Sequence, residues 1–125
     1  MPSSTPNTTG SADPSAIPYG TWDSFPREPF EMYNGWKSIY YRSENNKIAV
    51  GAIHEIGEGH LTWPEDEFLI VTKGWIKFQI QDGEDFELKQ GDIMFMKQGQ
   101  VIDFQMSDDF TNIAVFISED KVSII

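Results

Sequence analysis

Two side chains that could transfer protons, His60 and Glu67, lie seven residues apart in the stretch GHLTWPEDEFLIVTKG, which begins at Gly59. Glu67 opens the apolar run FLIV, so burial is expected to raise the pKa of its carboxyl group unless a partner offsets the effect. If His60 meets Glu67 in space, the two form an acid–base couple suited to epimerisation, dehydration or lyase chemistry without a metal. The alternative is that Glu67 satisfies a hydrogen bond and has no catalytic role.

An aromatic residue, Trp63, lies among five carboxylates in and around the same stretch. These are Glu55, Glu58, Glu65, Asp66 and Glu67. An aromatic ring surrounded by carboxylates would suit a cationic or amine ligand. A solvated acidic loop is the simpler interpretation of the same residues.

Short β-strands are the elements that must position these residues. Turn signals such as Asp82-Gly83, Gln90-Gly91 and Gln98-Gly99 recur about every ten residues, and no helical period is present. Strands are predicted at 37–42, 47–56, 68–72, 75–81, 86–88, 93–96, 101–106 and 111–117, with 121–125 as a candidate edge strand. Gly57 and Gly59 are predicted to interrupt the strands. The pattern indicates an all-β sandwich or jelly-roll barrel.

The strand at 47–56 has a clear alternation. It places Ile48, Val50, Ala52, His54 and Ile56 on one face. We expect this face to point into the barrel, which would make His54 either a buried, hydrogen-bonded residue or part of the site.

The residue spacing resembles the first of the two sequence motifs of the cupin superfamily. That motif has two histidines one residue apart, a glutamate a few residues later and a closing glycine. His60 falls on the first histidine, Thr62 on the second, Glu67 on the glutamate and Gly74 on the glycine.

The second cupin motif begins with a glycine and contains a proline, another glycine and a histidine. Gly91 and Gly99 match the two glycines, whereas Lys97 replaces the proline and Ile102 replaces the histidine. The resemblance implies a single-domain cupin jelly-roll β-barrel.

A cupin metal site, as the resemblance implies it, has three imidazoles and one carboxylate, a set suited to Fe, Mn, Ni or Zn. This chain keeps His60 and Glu67 from that set. We therefore expect a degenerate metal site and no cofactor. A weakly held divalent metal, with His54 completing the site, is the alternative.

Within the superfamily, residues 35–118 are similar to the ureidoglycine-aminohydrolase-like and ethanolamine-utilisation-like branch. The resemblance is carried by Trp36, Ala49-Val50-Gly51, Asp66-Glu67-Phe68 and Gly91-Asp92. The resemblance implies a small-molecule-binding cupin. Because His60 and Glu67 are retained at motif positions, we expect them to be the catalytic residues of a metal-independent isomerase, lyase or hydrolase. The substrate would be a small polar metabolite.

The predicted ligand-binding residues are His54, Thr62, Trp63, Tyr41, Ile102 and Phe104. The alternative is a non-catalytic cupin that serves as a binding or interaction subunit, which the loss of metal ligands at Thr62 and Ile102 favours. An open, polar interior would favour the first hypothesis. An interior filled by Met94, Met96, Phe104 and Ile102 would favour the second.

Composition limits the classes of partner. The 125 residues include no cysteine, which excludes disulfide scaffolds, thiolate zinc sites and thiol nucleophiles. Nine basic and twenty acidic residues give a net charge of -11, so the basic face that nucleic acid requires is not expected. No apolar run approaches the roughly 20 residues of a membrane helix, and no signal-peptide pattern is present. We expect a cytoplasmic protein without nucleic-acid or membrane partners.

The chain divides into two predicted regions. Residues 1–18, rich in Ser, Thr, Pro and Gly, are predicted to be a flexible arm, and residues 19–125 to be the barrel domain. Between Tyr19 and Trp36, an extended strap is predicted to cover one opening of the barrel with its aromatic side chains. The extended N-terminal region and the candidate edge strand favour a homodimer.

Overall fold

Ten β-strands and one short 3₁₀ helix, Glu31–Tyr33, make up the regular structure of residues 18–21 and 23–125, the part that the computed structural model describes. The strands are β1 (Glu28–Phe30), β2 (Gly35–Arg42), β3 (Ile48–His54), β4 (Gly57–Thr62), β5 (Asp66–Lys73), β6 (Trp75–Ile80), β7 (Asp85–Lys89), β8 (Ile93–Met96), β9 (Val101–Met106) and β10 (Thr111–Ile117). Predictions for residues 1–17 and Trp22 lie outside the described residues. No helix in that described part could cross a membrane.

The strands form two antiparallel sheets, which confirms the predicted all-β class. The larger sheet has six strands in the order β1-β2-β3-β10-β5-β8, and the smaller has four in the order β4-β9-β6-β7. Strands that are distant in sequence pair within each sheet, as β3 does with β10 and β4 with β9.

The core lies between the two sheets and is filled by alternate residues of each strand. In β10, Asn112, Ala114 and Phe116 are fully buried, while the intervening residues are partly exposed. The smaller sheet contributes Ile102 and Phe104 from β9 in the same manner. Truncating a buried aromatic such as Phe116 to Ala would cost about 3–5 kcal/mol.

Strand β4 differs from the prediction, because Gly57 and Gly59 do not interrupt the sheet but form part of it. All six β4 residues pair with β9, from Gly57 opposite Met106 to Thr62 opposite Val101. Glycine fits at position 59 where a larger residue would collide, because a Cβ there would lie 2.6 Å from the Phe104 ring. Tertiary pairing has overridden the weak strand propensity of glycine. The short strand β1 was also not predicted.

The face of β3 that lies inside is opposite to the predicted one. Ala49 and Ile53 belong to the core cluster, whereas Ile48 and His54 lie on the outer face. Part of this outer face is covered by the segment before β1. There Ser38 Oγ donates a hydrogen bond to the Pro26 carbonyl oxygen.

The predicted strap therefore has two parts. Phe25 packs edge-on against Tyr40, with ring centroids 4.6 Å apart. Phe30 and Tyr33 instead lie against the interior, where Tyr33 contacts Phe104 at 5.4 Å between ring centroids.

Residues 121–125 do not form the candidate edge strand. They run as irregular chain, held by a hydrogen bond from the Val122 N–H to the Asn46 carbonyl oxygen. Val122 and Ile125 are buried in the core cluster. The segment closes one side of the interior instead of extending a sheet.

The turn between β5 and β6 depends on Gly74, which has φ of +72°. A Cβ at this position would lie 2.3 Å from Ser107 Oγ and 2.5 Å from Asp109 Oδ1. A side chain is therefore excluded by both backbone conformation and space. The turn carries β5, with Glu67 near its start, from the larger sheet into β6 of the smaller sheet.

Candidate functional site

A small cavity between the sheets combines aromatic walls with two carboxyl groups, Glu55 and Glu67. Its lining is completed by Phe30, Tyr33, Ile53, Leu61, Trp63, Leu69, Ile76, Phe78, Phe104, Phe110, Phe116 and Ile124. The space available to the centre of a water-sized molecule is about 20 Å³. This is room for one or two waters, and a metabolite could bind only if part of the wall moved.

Glu67 is the deeper of the two carboxyl groups. It pairs with Met96 on β8 and with Phe116 on β10, and it is 4% exposed. Loss of hydration raises the pKa of Glu67 well above its usual value, and the nearby Glu55 carboxylate raises it further. The indole N–H of Trp63 lowers this pKa, although the contact falls short of full hydrogen-bond geometry. Burial and the neighbouring carboxylate therefore both favour the protonated form of Glu67.

Glu55 reaches the cavity because the alternation of β3 continues one residue beyond the strand. Its backbone N–H donates to the Phe110 carbonyl oxygen, so the side chain follows Ile53 to the inside. Loss of hydration raises the pKa of Glu55 from 4.5 to about 7, and a hydrogen bond from the Asn112 amide partly opposes this rise. The Asn112 Nδ2 to Glu55 Oε1 distance is 3.4 Å, which is a weak bond.

Tyr33 adds a phenol to the same cavity. Burial raises the pKa of Tyr33, and the Glu55 carboxylate raises it further, which places the hydroxyl near that carboxyl group. The interior cluster is defined here as Tyr33, Glu55, Trp63, Glu67 and Asn112. It holds two acids, one phenol, one indole and one amide.

Several polar atoms in and near this cluster lack partners. In the part of the chain that the structure describes, the buried side-chain atoms without a hydrogen bond are Trp63 Nε1, Asn112 Oδ1 and Glu65 Oε2. An unpartnered buried polar atom costs about 1–3 kcal/mol, so each points to a group that could satisfy it. Asn112 Oδ1 belongs to a residue that is 1% exposed.

Glu65 lies behind the cavity wall and is 1% exposed. Its Oε1 atom accepts two short hydrogen bonds from Ser123, one from the backbone N–H and one from the hydroxyl. Since Ile124 lines the cavity, this contact fixes part of the cavity wall to the start of β5.

His60 lies on the outer face of the smaller sheet, away from Glu67. It is 65% exposed, and its Nδ1–H donates to Asp103 Oδ1 at 2.7 Å. The neighbouring Leu61 points inward and lines the cavity instead. Burying the apolar leucine side chain is more favourable than burying the imidazole of His60. The structure therefore does not bring the two predicted catalytic residues together, and Glu55 faces Glu67 instead.

Some of the predicted ligand-binding residues line the cavity, and the others lie outside its lining. Trp63 and Phe104 line the cavity. Ile102 is fully buried in the core cluster, and Thr62 is exposed at the end of β4. Tyr41, on β2, is half-buried and lies outside the cavity lining.

His54 does not complete a site in the interior. Its Nδ1–H donates to the Phe110 carbonyl oxygen at 2.8 Å, and its ring lies 6.1 Å from that of Trp36. The prediction that its face points into the barrel is wrong, because the inward positions of β3 are occupied by Ala49 and Ile53.

The donor groups in the cavity do not fit an imidazole-rich metal site. Carboxyl, amide and phenol groups are present, and both imidazoles lie outside. Among the described residues, no group of three or more His, Asp or Glu side chains could hold a metal ion. We derive no chemistry through a metal for this cavity.

The sequence groups Glu55 with the carboxylates around Trp63 and places Tyr33 within the aromatic strap, but it assigns neither to the site and does not identify Asn112. Glu55 could have been found by extending the other face of β3, through Ala49, Gly51 and Ile53. Asn112 gives a second signal, since an amide at a core-facing position of an apolar strand needs a polar neighbour. Tyr33 lies within the strap that was predicted to cover one opening with aromatic side chains, and irregular spacing there gave no means of choosing it over its neighbours.

Two antiparallel sheets around an interior site are the architecture of a cupin domain. The model of the EutQ-like cupin domain family matches residues 49–112, just over half of the chain. The protein belongs to this family, which confirms the resemblance drawn from the sequence. No curated protein matches the chain.

Solved structures show the same fold at low identity. A putative ethanolamine utilization protein Q from Salmonella typhimurium LT2 is 21% identical, with a TM-score of 0.60, and the match covers 96% of this chain and 98% of that one. The hydroxypropylphosphonic acid epoxidase from S. wedmorenis is 16% identical, with a TM-score of 0.67 and 87% of this chain covered. This chain spans 63% of the epoxidase. A structure of HppE in its FeII form gives the same TM-score and identity, with 64% of that chain covered.

Proposed function

We propose that this protein is a small-molecule-binding cupin whose ligand occupies the interior cavity, and that Glu55 and Glu67 supply metal-independent acid–base chemistry there. The observation that carries this proposal is the buried Glu67 carboxyl group, which faces a second carboxyl group inside an aromatic-walled cavity. The reaction would be of the isomerase, lyase or hydrolase type on a small polar metabolite.

The two carboxyl groups are suited to complementary roles. Carboxyl groups in different environments separate into an acid and a base when their pKa values differ. Burial raises the pKa of both carboxyl groups, that of Glu55 to about 7 and that of Glu67, which the Glu55 carboxylate raises further, well above its ordinary value. Glu67 would donate a proton to the substrate, and Glu55 would accept one. Glu55 thus takes the role that the sequence suggested for His60.

A metabolite screen tests the proposal. Wild-type protein would be screened by thermal shift against small polar metabolites, and each hit would be assayed for turnover. We expect Glu67→Gln to abolish both the shift and the turnover, because the amide removes the buried acid while preserving its shape. Asp103→Asn, on the outer face, is the matched control and should leave both unchanged. A hit that survives Glu67→Gln unaltered would contradict an interior site.

A second candidate function, an interaction subunit, is supported by an apolar patch on the outer face of the larger sheet. Phe68 lies opposite Phe95 and Ile70 opposite Ile93, and the patch continues onto Val115 of β10. Phe95 and Ile93 are more than half exposed. A patch of this kind on a monomer marks an interaction site.

We propose that a second copy of the chain covers this patch in a two-fold homodimer. The patch extends over three neighbouring strands. In a two-fold dimer each copy contributes the same surface, so this patch would pack against its equivalent on the other copy. Each copy carries a charge of -11, so association should strengthen as salt screens the repulsion. Light scattering of wild type and Phe95→Lys at low and high salt tests this. A wild-type monomer at both salt concentrations would exclude the dimer.

A further inference from the structure

We infer that the ligand of the interior cavity is a small organic cation, a primary ammonium with a short apolar tail, held between Glu55 and Glu67. This inference rests on the proposed ligand-binding role of the cavity and adds the chemical class of the ligand. Four features of the cavity support it: its charge, its unsatisfied acceptors, its aromatic walls and its size.

The charge inside the cavity has no counterpart in the lining. Glu55 and Glu67 face the same space, and the lining formed by the described residues contains no Lys, Arg or His. Buried carboxylates are normally paired with a cation, because an unpaired buried charge is costly. Since the protein supplies no cation here, the remaining ways to balance the pair are a bound proton and a cationic ligand.

Hydrogen-bond acceptors also exceed donors around Glu55. Its Oε1 atom receives the weak bond from Asn112 Nδ2 at 3.4 Å. Asn112 Oδ1, which is deeply buried next to this bond, has no donor at all. A primary ammonium carries three donors on one atom, so a single head group could bond Glu55, Glu67 and Asn112 Oδ1. A neutral alcohol carries one donor and would leave most of these acceptors unsatisfied.

The aromatic walls favour a positive charge over a neutral head group. Trp63 and Tyr33 both meet Phe104 edge-on, at centroid distances of 5.9 Å and 5.4 Å. Trp63, Tyr33 and Phe104 all line the cavity, so a bound head group would lie against aromatic side chains. Cation–π attraction to such rings favours a desolvated ammonium over a neutral head group.

The size of the cavity limits the head group. Space for the centre of a water-sized molecule is about 20 Å³, which admits an ammonium nitrogen and excludes a quaternary trimethylammonium group. A tail of a few carbon atoms would displace a wall residue such as Ile124, which lies outside the strands. We therefore expect a primary ammonium with a tail of a few carbon atoms.

Isothermal titration calorimetry with four probes tests this inference. The probes are ethylammonium chloride, ethanol as its neutral analogue, sodium acetate as an anion and tetramethylammonium chloride as a bulky cation. We expect ethylammonium to bind at least about tenfold more tightly than each of the others. Glu55→Gln should weaken ethylammonium binding by at least about tenfold, because it removes the ionised carboxylate that faces the cation. Asp103→Asn should leave the affinity unchanged.

Glutamine has the same shape as glutamate, so both Glu55→Gln and Glu67→Gln should fold, which circular dichroism would verify. The inference is overturned if ethylammonium does not bind, if ethanol or acetate binds as tightly, or if Glu55→Gln leaves the affinity unchanged. Binding of ethanol or acetate that Glu67→Gln abolishes would refute the ligand class while preserving the cavity as the binding site. Ethylammonium binding lost in Asp103→Asn and kept in Glu67→Gln would refute both proposals.

Discussion

Ser123 donates two hydrogen bonds, one from its backbone N–H and one from its hydroxyl, to the same carboxyl oxygen of Glu65. Glu65 is almost fully buried, and it precedes β5 by one residue. The contact joins the irregular segment 121–125 to the strand that carries Glu67. Together with the hydrogen bonds from Val122 N–H to the Asn46 carbonyl oxygen and from Arg42 to the Ile125 carbonyl oxygen, it attaches the segment that contains the cavity residue Ile124.

Ser123→Ala should destabilise the protein by about 1–2 kcal/mol, because it removes the hydroxyl bond to a buried carboxyl group. The free energy of unfolding from urea titration would measure this change. Ser118→Ala is the matched control, since Ser118 Oγ accepts a bond from Asp120 N–H in an exposed turn. Its effect should stay within about 0.5 kcal/mol. Equal effects of the two substitutions would show that the Glu65 contact contributes no specific stability.

The stability of the protein should fall as pH rises from about 4.5 to about 7. In the folded state the pKa of Glu55 is raised to about 7, whereas the unfolded chain titrates near the ordinary value of 4.5. Between these values the unfolded chain has lost a proton that the folded chain keeps. The contribution of Glu55 is therefore fully present below pH 4.5 and is lost as pH rises through its folded pKa, at a cost on the order of 3 kcal/mol.

Glu67 acts in the same direction, because its pKa is also raised. Urea titrations over this pH range would measure the slope. Glu55→Gln should flatten the slope, whereas Glu58→Gln, at an exposed position of β4, should preserve it. This comparison separates the buried carboxyl group from the general effect of the net charge. A slope that Glu55→Gln leaves unchanged would contradict the assignment.

His60→Ala should have little effect on stability. The His60–Asp103 pair is more than half exposed on both sides, and exposed ion pairs contribute about 0–1 kcal/mol. Ligand binding in the cavity should also be preserved, because the imidazole lies on the far side of the smaller sheet. Leu61→Ala, the adjacent inward residue, should cost about 2–5 kcal/mol. A loss of ligand binding in His60→Ala with normal stability would restore the predicted role of His60.

Gly74→Ala should destabilise the protein more than Gly91→Ala. Both glycines have positive φ, of +72° and +90°, so alanine is strained at either position by about 1–3 kcal/mol. A Cβ at Gly74 would also collide with Ser107 and Asp109, whereas nothing lies within 4 Å of a Cβ at Gly91. The difference between the two variants in thermal unfolding thus measures the steric contribution alone. Equal destabilisation would mean that the Ser107 and Asp109 side chains move aside at no cost.

The sequence predicted the fold class and the burial of Glu67 for physical reasons that are local. Period-two alternation and glycine turns located most of the strands, and an apolar run after Glu67 implied its burial. Strand β4 was missed because its pairing with β9 is a tertiary effect that local propensity opposes.

The composition of the site could not be predicted to the same extent. Alternation shows which residues of β3 share a face, but not which face lies inside, because the segment around Pro26 covers part of the outer one. In β4, a shift of one residue likewise decides whether His60 or Leu61 points to the interior. An error of one residue inverts every side chain of a strand, so His54 was predicted to face the interior that Glu55 lines.

The narrowness of the cavity has a kinetic consequence. A ligand larger than one or two waters can enter only when part of the wall has moved, so an opening step must precede binding. The observed association rate should then level off as ligand concentration rises, at the rate of opening itself. The same barrier delays departure, so even a ligand of modest affinity would have a long residence time. Uptake would be governed by the protein's own motion instead of by collision.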